Sequence, residues 1–159
     1  MNVINKSVGV IKNQGWGVFF EKTKNKIRHS YNNFLFKNFK NNSISKLQKF
    51  DSDNPEQVFD FVWNFYYDAI RPIQIKEEFL ELLKIFKEQN PKYILEIGTA
   101  NGGTLFSFCK LARENAIIIS IDLPEGLYGG GYPKWKIPIY QSFKKPNQKL
   151  YLLREDSHQ

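Results

Sequence analysis

Cysteine is nearly absent from this chain: Cys109 stands alone in 159 residues. An intrachain disulfide is therefore excluded, and a reducing, cytoplasmic setting is the expectation. Cys109 falls among Leu105, Phe108 and Ala112, where a small buried thiol is the plain reading. Long apolar runs are also missing. None approaches the ~20 residues of a membrane span. The N-terminus lacks the uninterrupted apolar stretch and the cleavage site of a signal peptide. Acids are almost missing from residues 1–50, which hold ten Lys/Arg against Glu21 alone, for +9. Residues 51–159 hold thirteen Lys/Arg and fifteen acids, for −2. The basicity thus belongs to an N-terminal extension, and the rest is a near-neutral domain of the size one core can support.

What is present centres on Tyr93–Thr104, YILEIGTANGGT. An apolar run, Tyr93–Ile97, reads as a buried strand. It enters a glycine-rich turn, Gly98–Gly103, and a helix is predicted from about Gly102 to Arg113. This layout suits a nucleotide or cofactor, because glycines let the backbone turn and approach a ligand while the helix N-terminus points its amides at it. The spacing from Gly98 to Thr104 has the outline of a P-loop but lacks its lysine. Ala100 fills the middle glycine position of the dinucleotide fingerprint. What remains is E-x-G-x-x-x-G-G-T, with Glu96 at the strand's end. A second apolar run, Ala116–Ile121, ends on Asp122, 24 positions beyond Gly98. That separation fits one βαβ unit and puts an acid where ribose hydroxyls can be bound.

EIGTANGGT followed by IISIDLP resembles motifs I and II of class I S-adenosylmethionine (SAM)-dependent methyltransferases. More narrowly it is similar to the branch grouped with cephalosporin hydroxylases and macrolide or rhamnosyl O-methyltransferases. IRPIQIKEEFLELLKIF, GGGYPKWKIPIYQSF and REDSH extend the likeness over Phe59–Gln159. The resemblance implies a Rossmann-like α/β fold and O-methylation of a small-molecule or sugar hydroxyl. It gives the SAM-binding role to Gly98, Thr99, Ala100, Asn101, Gly102 and Gly103, with Asp122 on the ribose. Glu96 would hold the glycine loop or meet the cofactor's amino group; a cap on local backbone amides explains it equally well. Asp156 and Ser157 would lie beside adenine. His158 is the one catalytic or metal candidate, without a second His or carboxylate at ligand spacing. Tyr132 and Trp135, beside Gly129–Gly131, are candidate lid residues over the acceptor, with packing onto the domain as the alternative.

The family sheet has seven strands and this chain shows three, Tyr93–Ile97, Ile117–Ile121 and Leu150–Arg154, expected in the order third–second–first. The expectation is a cofactor-binding half without turnover of its own and poorly soluble, with the ligands of any Mg ion in the missing half. Two other classes stay open: a NAD-dependent oxidoreductase, against which Ala100 argues, and a non-catalytic remnant or interaction module using the basic extension.

Around this unit the chain predicts two amphipathic helices. Asn54 caps the first and Pro55 opens it; it should run over 55–70, with Val58, Val62, Phe65, Tyr66 and Ala69 inward. Pro72 stops it. The second, Lys76–Gln89, should turn Phe79, Leu82, Leu83 and Phe86 inward and end at Asn90-Pro91. Leu123–Gly131 reads as a mobile loop, followed by a short helix over Lys134–Phe143, bent or interrupted near Pro138. In the extension, Ile27, Tyr31, Phe34, Leu35 and Phe39 form one helical face. Lys24, Lys26, Arg28, Lys37 and Lys40 surround it, which fits a membrane surface or a protein partner. No nucleic-acid partner is expected, since no recognised module accompanies the charge.

Overall fold

The structure, a computed structural model, describes residues 40–124 and 131–156, and before them residues 17, 18, 20, 21, 23, 24, 27, 30, 31 and 34–38. Ser157, His158, Phe39, Lys26, Arg28 and residues 125–130 of the expected loop lie outside the described residues. The chain divides into two compact units, Met1–Asn38 and Phe39–Gln159. In the first, the described positions are helical, and Ile27, Tyr31 and Phe34 are exposed to solvent.

The second unit opens with α1 (Lys40–Lys49), which buries Ser43 and Leu47. The next helix, α2 (Pro55–Asn64), begins as its sequence dictates. Asn54 Oδ1 accepts from the Gln57 amide at 2.9 Å, and proline fills the first position. It is shorter than the expected 55–70. Phe65 is extended at φ −66°, ψ 138°, and a 3-10 turn spans Tyr66–Asp68, with Asp68 at φ 58°. The cause is a long-range contact. An unbroken helix would run straight on, whereas the break folds Ile70–Pro72 back over the glycine turn. There a Cβ on Gly103 would stand 2.0 Å from the Ile70 carbonyl and 2.8 Å from Pro72 Cδ.

Helix α3 (Lys76–Gln89) has the expected bounds. Asn90 ends it at φ 44°, a left-handed conformation asparagine tolerates, and its amide donates to the Lys87 carbonyl. Phe79 and Leu83 face inward and Phe86 stacks on Phe108 at 4.3 Å. Leu82, expected inside, is exposed: it lies on the far edge of the stripe set by Phe79, Leu83 and Phe86.

The sheet follows: β1 (Tyr93–Ile97), α4 (Gly103–Leu111), β2 (Ile117–Asp122), α5 (Ile137–Gln141) and β3 (Lys149–Arg154). All pairing is parallel, in the order β1-β2-β3. The architecture is α/β, a Rossmann-like half-fold. The expected short helix over Lys134–Phe143 is interrupted beside Pro138: a 3-10 turn at Lys134–Lys136 leads into α5, with Pro138 in its first turn, where a missing amide hydrogen costs nothing.

Side-chain alternation splits the sheet in two. Ile94, Glu96, Ile118, Ser120 and Leu150 are buried. On the other face, Tyr93, Leu95, Ile97, Tyr151 and Leu153 are exposed, with Ile117, Ile119 and Ile121 half-buried between them. The strands are apolar on both faces, as in parallel sheets covered on both; among the described residues only one face is covered.

Candidate functional site

The turn between β1 and α4 is built by three residues with positive φ: Gly98 (92°), Ala100 (47°) and Gly102 (88°). Gly98 needs glycine for its backbone alone, since an added Cβ there would meet nothing within 4 Å. Open space therefore adjoins the turn at this point. Gly102 and Gly103 differ. A Cβ on Gly102 would fall 2.6 Å from Tyr140 Cε1, and Gly103 is closed by Ile70 and Pro72. The close backbone approach that these two glycines allow is used by the chain's own side chains, so the space for a ligand narrows to the Gly98 side.

Asp122, at the tip of β2, reaches back to the turn. Its Oδ2 accepts from the Ala100 amide at 2.8 Å and its Oδ1 from the Leu123 amide at 2.8 Å. The first bond holds Ala100 in its left-handed conformation, which a non-glycine residue keeps only when its surroundings demand it. Tyr140 closes the other side, its hydroxyl donating to the Ala100 carbonyl at 2.9 Å. Asn101 Nδ2 donates to the Arg71 carbonyl at 3.2 Å. Both polar groups of Ala100 and the Asn101 side chain are thus spent on fixing the loop. A carboxylate offers about four acceptor sites, so Asp122 keeps capacity for a further donor.

Beneath the turn runs a buried polar chain. Ser120 Oγ donates to Glu96 Oε2 at 2.5 Å, and Thr99 Oγ1 lies 2.6 Å from Ser120 Oγ. Since Ser120 gives its one proton to Glu96, Thr99 is the donor in the second bond. Glu96 is 6% exposed, and its Oε1 is buried without a hydrogen-bond partner among the described residues. Burial raises its pKa to about 7; the bond from Ser120 opposes this and the Asp122 charge adds to it. The cap on backbone amides weighed for Glu96 is not what forms: its partner is a side chain. Ser120 was missed in the sequence, although the parallel register sets it directly beside Glu96.

At its N-terminus α4 has no side-chain cap, because Gly102 is the capping residue. No capping side chain therefore competes for its first-turn amides.

The remaining candidates fall elsewhere. Tyr132 is 1% exposed, packed edge-on against Tyr140 at 4.8 Å, with the Arg154 guanidinium 5.7 Å from its ring. It is a core residue rather than a lid, because the loop base is pinned by the Pro124–Tyr132 bridge and by Arg154 Nη2 donating to the Tyr132 carbonyl. Trp135 is half-buried. Asp156 lies just past β3, half-buried and with interactions of its own. Cys109 is fully buried, and burial pushes its thiol far up. Lys136 carried no signal in the sequence. It is 3% exposed between the Trp135 and Tyr140 rings, and burial pulls its ammonium down to about 8. Among the described residues no three His, Cys, Asp or Glu side chains gather as a metal site would need, and no helix is long and apolar enough to cross a membrane.

No model of a known protein family matches this chain, and no curated protein matches it.

Proposed function

We propose that this chain carries the cofactor-binding part of a SAM-dependent methyltransferase acting on a small-molecule or sugar hydroxyl. The observation that carries the reading is the bond from the Ala100 amide to Asp122. It joins the glycine turn to the tip of β2, where a nucleoside bridging the two would be held. Three further features fit the group. Gly98 is open, the α4 N-terminus is uncapped towards a carboxylate, and Glu96 Oε1 is a buried acceptor in want of a donor such as an ammonium. Asp122 would accept from the ribose hydroxyls with its remaining lone pairs. When bound, SAM supplies a methyl group already activated by its sulfonium charge. The protein's share is then to orient the donor and keep water out. The acceptor's deprotonation, by a base or a Mg ion, is work for groups beyond this turn. Calorimetric titration of the full chain with SAM and, separately, with NAD tests the reading. Saturable binding of SAM with none of NAD supports it; the reverse supports the oxidoreductase alternative.

A second reading concerns residues 1–38. Their exposed Ile27, Tyr31 and Phe34, in a segment with Lys24 and Lys37, suit attachment to an anionic membrane surface. Co-sedimentation with phosphatidylserine vesicles at low salt, lost on deleting residues 1–38, is the expected result. Equal sedimentation of the two forms would discard this reading.

A further inference from the structure

Seven positions along α4 from Gly103, about 10 Å by helical rise, stands Lys110 in the helix's last turn. It lines a cavity of about 770 Å³ with Phe50, Asp51, Glu114, Lys144 and Lys145. This cavity shares no lining residue with the glycine turn. Lys110 is 6% exposed, and its Nζ lies 5.3 Å from the centroid of the Phe106 ring. Among the described residues it has no hydrogen-bond acceptor; Asp51 and Glu114 act on it only through their charge. Burial pulls its pKa below the usual lysine range. Its stem is buried while its Nζ is not closed off from the cavity, so the ammonium meets the cavity's solvent, where an anion would find it without a competing acceptor among the described residues.

The charges around it leave room for one. Lys145 is satisfied by Glu114 at 2.7 Å and by the Ala112 carbonyl at 3.2 Å. Asp53, also on the lining, is taken by Lys87 at 2.5 Å. That leaves Lys110 and Lys144 with Asp51 on the lining, an excess of one positive charge once Lys87 is counted against Asp53, beside the apolar wall of Phe50. Phe50 itself is held in place by Phe61 at 4.2 Å and Phe106 at 5.7 Å.

We propose that this cavity is a second binding site, in which Lys110, assisted by Lys144, holds a small oxyanion, the carboxylate or phosphate group of a metabolite. It stands apart from the SAM reading and does not depend on it. The test is a nuclear magnetic resonance titration of the full chain with inorganic phosphate and, separately, with acetate, at ionic strength fixed with sodium chloride. Saturable shifts at the amides of Phe50, Lys110 and Ser142 with either probe are expected, and the probe that saturates first names the group. K110Q should weaken that binding at least tenfold and K144Q several-fold, whereas D51N should tighten it several-fold by removing its negative charge from the lining. Should K110Q fail to fold, the opposed directions of K144Q and D51N decide the matter. No saturation with either probe, or equal binding by all variants, overturns the proposal.

Discussion

At the scale of single residues the site turns on two acids that the sequence sets apart and the fold brings together. Asp122 fixes the loop through Ala100 and Leu123 while keeping acceptor capacity. Asp122→Ala removes both roles at once. It is expected to weaken SAM binding by about 1–3 kcal/mol, the cost of lost hydrogen bonds to a charged acceptor, and calorimetry reads it. Unchanged affinity would remove Asp122 from the site. Glu96 gives a pH signature. Its pKa in the fold, about 7, lies above the ordinary 4.5. Between those values the folded chain holds a proton that the unfolded chain has released, so stability falls as pH rises through this window. The contribution is fully present below about pH 4.5 and lost above about pH 7, at most about 3 kcal/mol. Glu96→Gln keeps the shape and an acceptor for Ser120 but cannot titrate. Denaturant unfolding from pH 5 to 8 should therefore show a flatter profile for the variant, with the variant the more stable at pH 8. Parallel profiles would mean that Glu96 is solvated.

At the scale of elements, the joint between α4 and the segment after α2 decides how the turn is held. Gly103→Ala drives a methyl into the Ile70 carbonyl and Pro72, which must move; overpacking of this kind costs about 1–3 kcal/mol. Gly98→Ala meets open space and carries only its left-handed strain, about 1–2 kcal/mol. Thermal unfolding should rank Gly103→Ala as the more damaging, while SAM affinity should suffer more from Gly98→Ala, which intrudes on the open side; the opposite ranking would place the ligand space at Gly103. The sequence made the elements themselves legible. Tyr93–Ile97 and Lys76–Gln89 have the expected bounds, because a bounded apolar run and a 3.6-residue stripe closed by Asn90-Pro91 are local signals. The break after Asn64 was not legible, since the apolar pattern continues unbroken through Phe65 and Ala69. Its cause is the distant contact with Gly103. Tyr140 was hidden for the same reason: nothing in sequence links it to Gly102, 38 positions earlier, and its role exists only once α5 packs over the turn. For the site, spacing brought Asp122 to the turn, but its bond to the Ala100 amide depends on a backbone conformation the residue types do not announce.

At the scale of the whole molecule, the sheet presents, among the described residues, an uncovered apolar face and the unpaired outer edge of β1. The row from Tyr93 through Leu95 to Ile97 carries no proline, bulge or charge that would guard such an edge. Concentration-dependent association of the full chain is therefore expected in sedimentation experiments. Leu95→Lys, which sets a charge in the middle of the row, should shift it towards monomer, and a monomer at every concentration would mean that this face is covered after all. More narrowly, the loop held between Asp122 and Tyr140 is proposed to bind SAM. The most direct measurement is an amide chemical-shift titration of the labelled full chain with SAM. Saturable shifts concentrated at Gly98, the first turn of α4 and Asp122 are expected, with the exposed sheet face unaffected. Binding that leaves Gly98 and Asp122 unshifted, or no binding at all, would contradict the proposal.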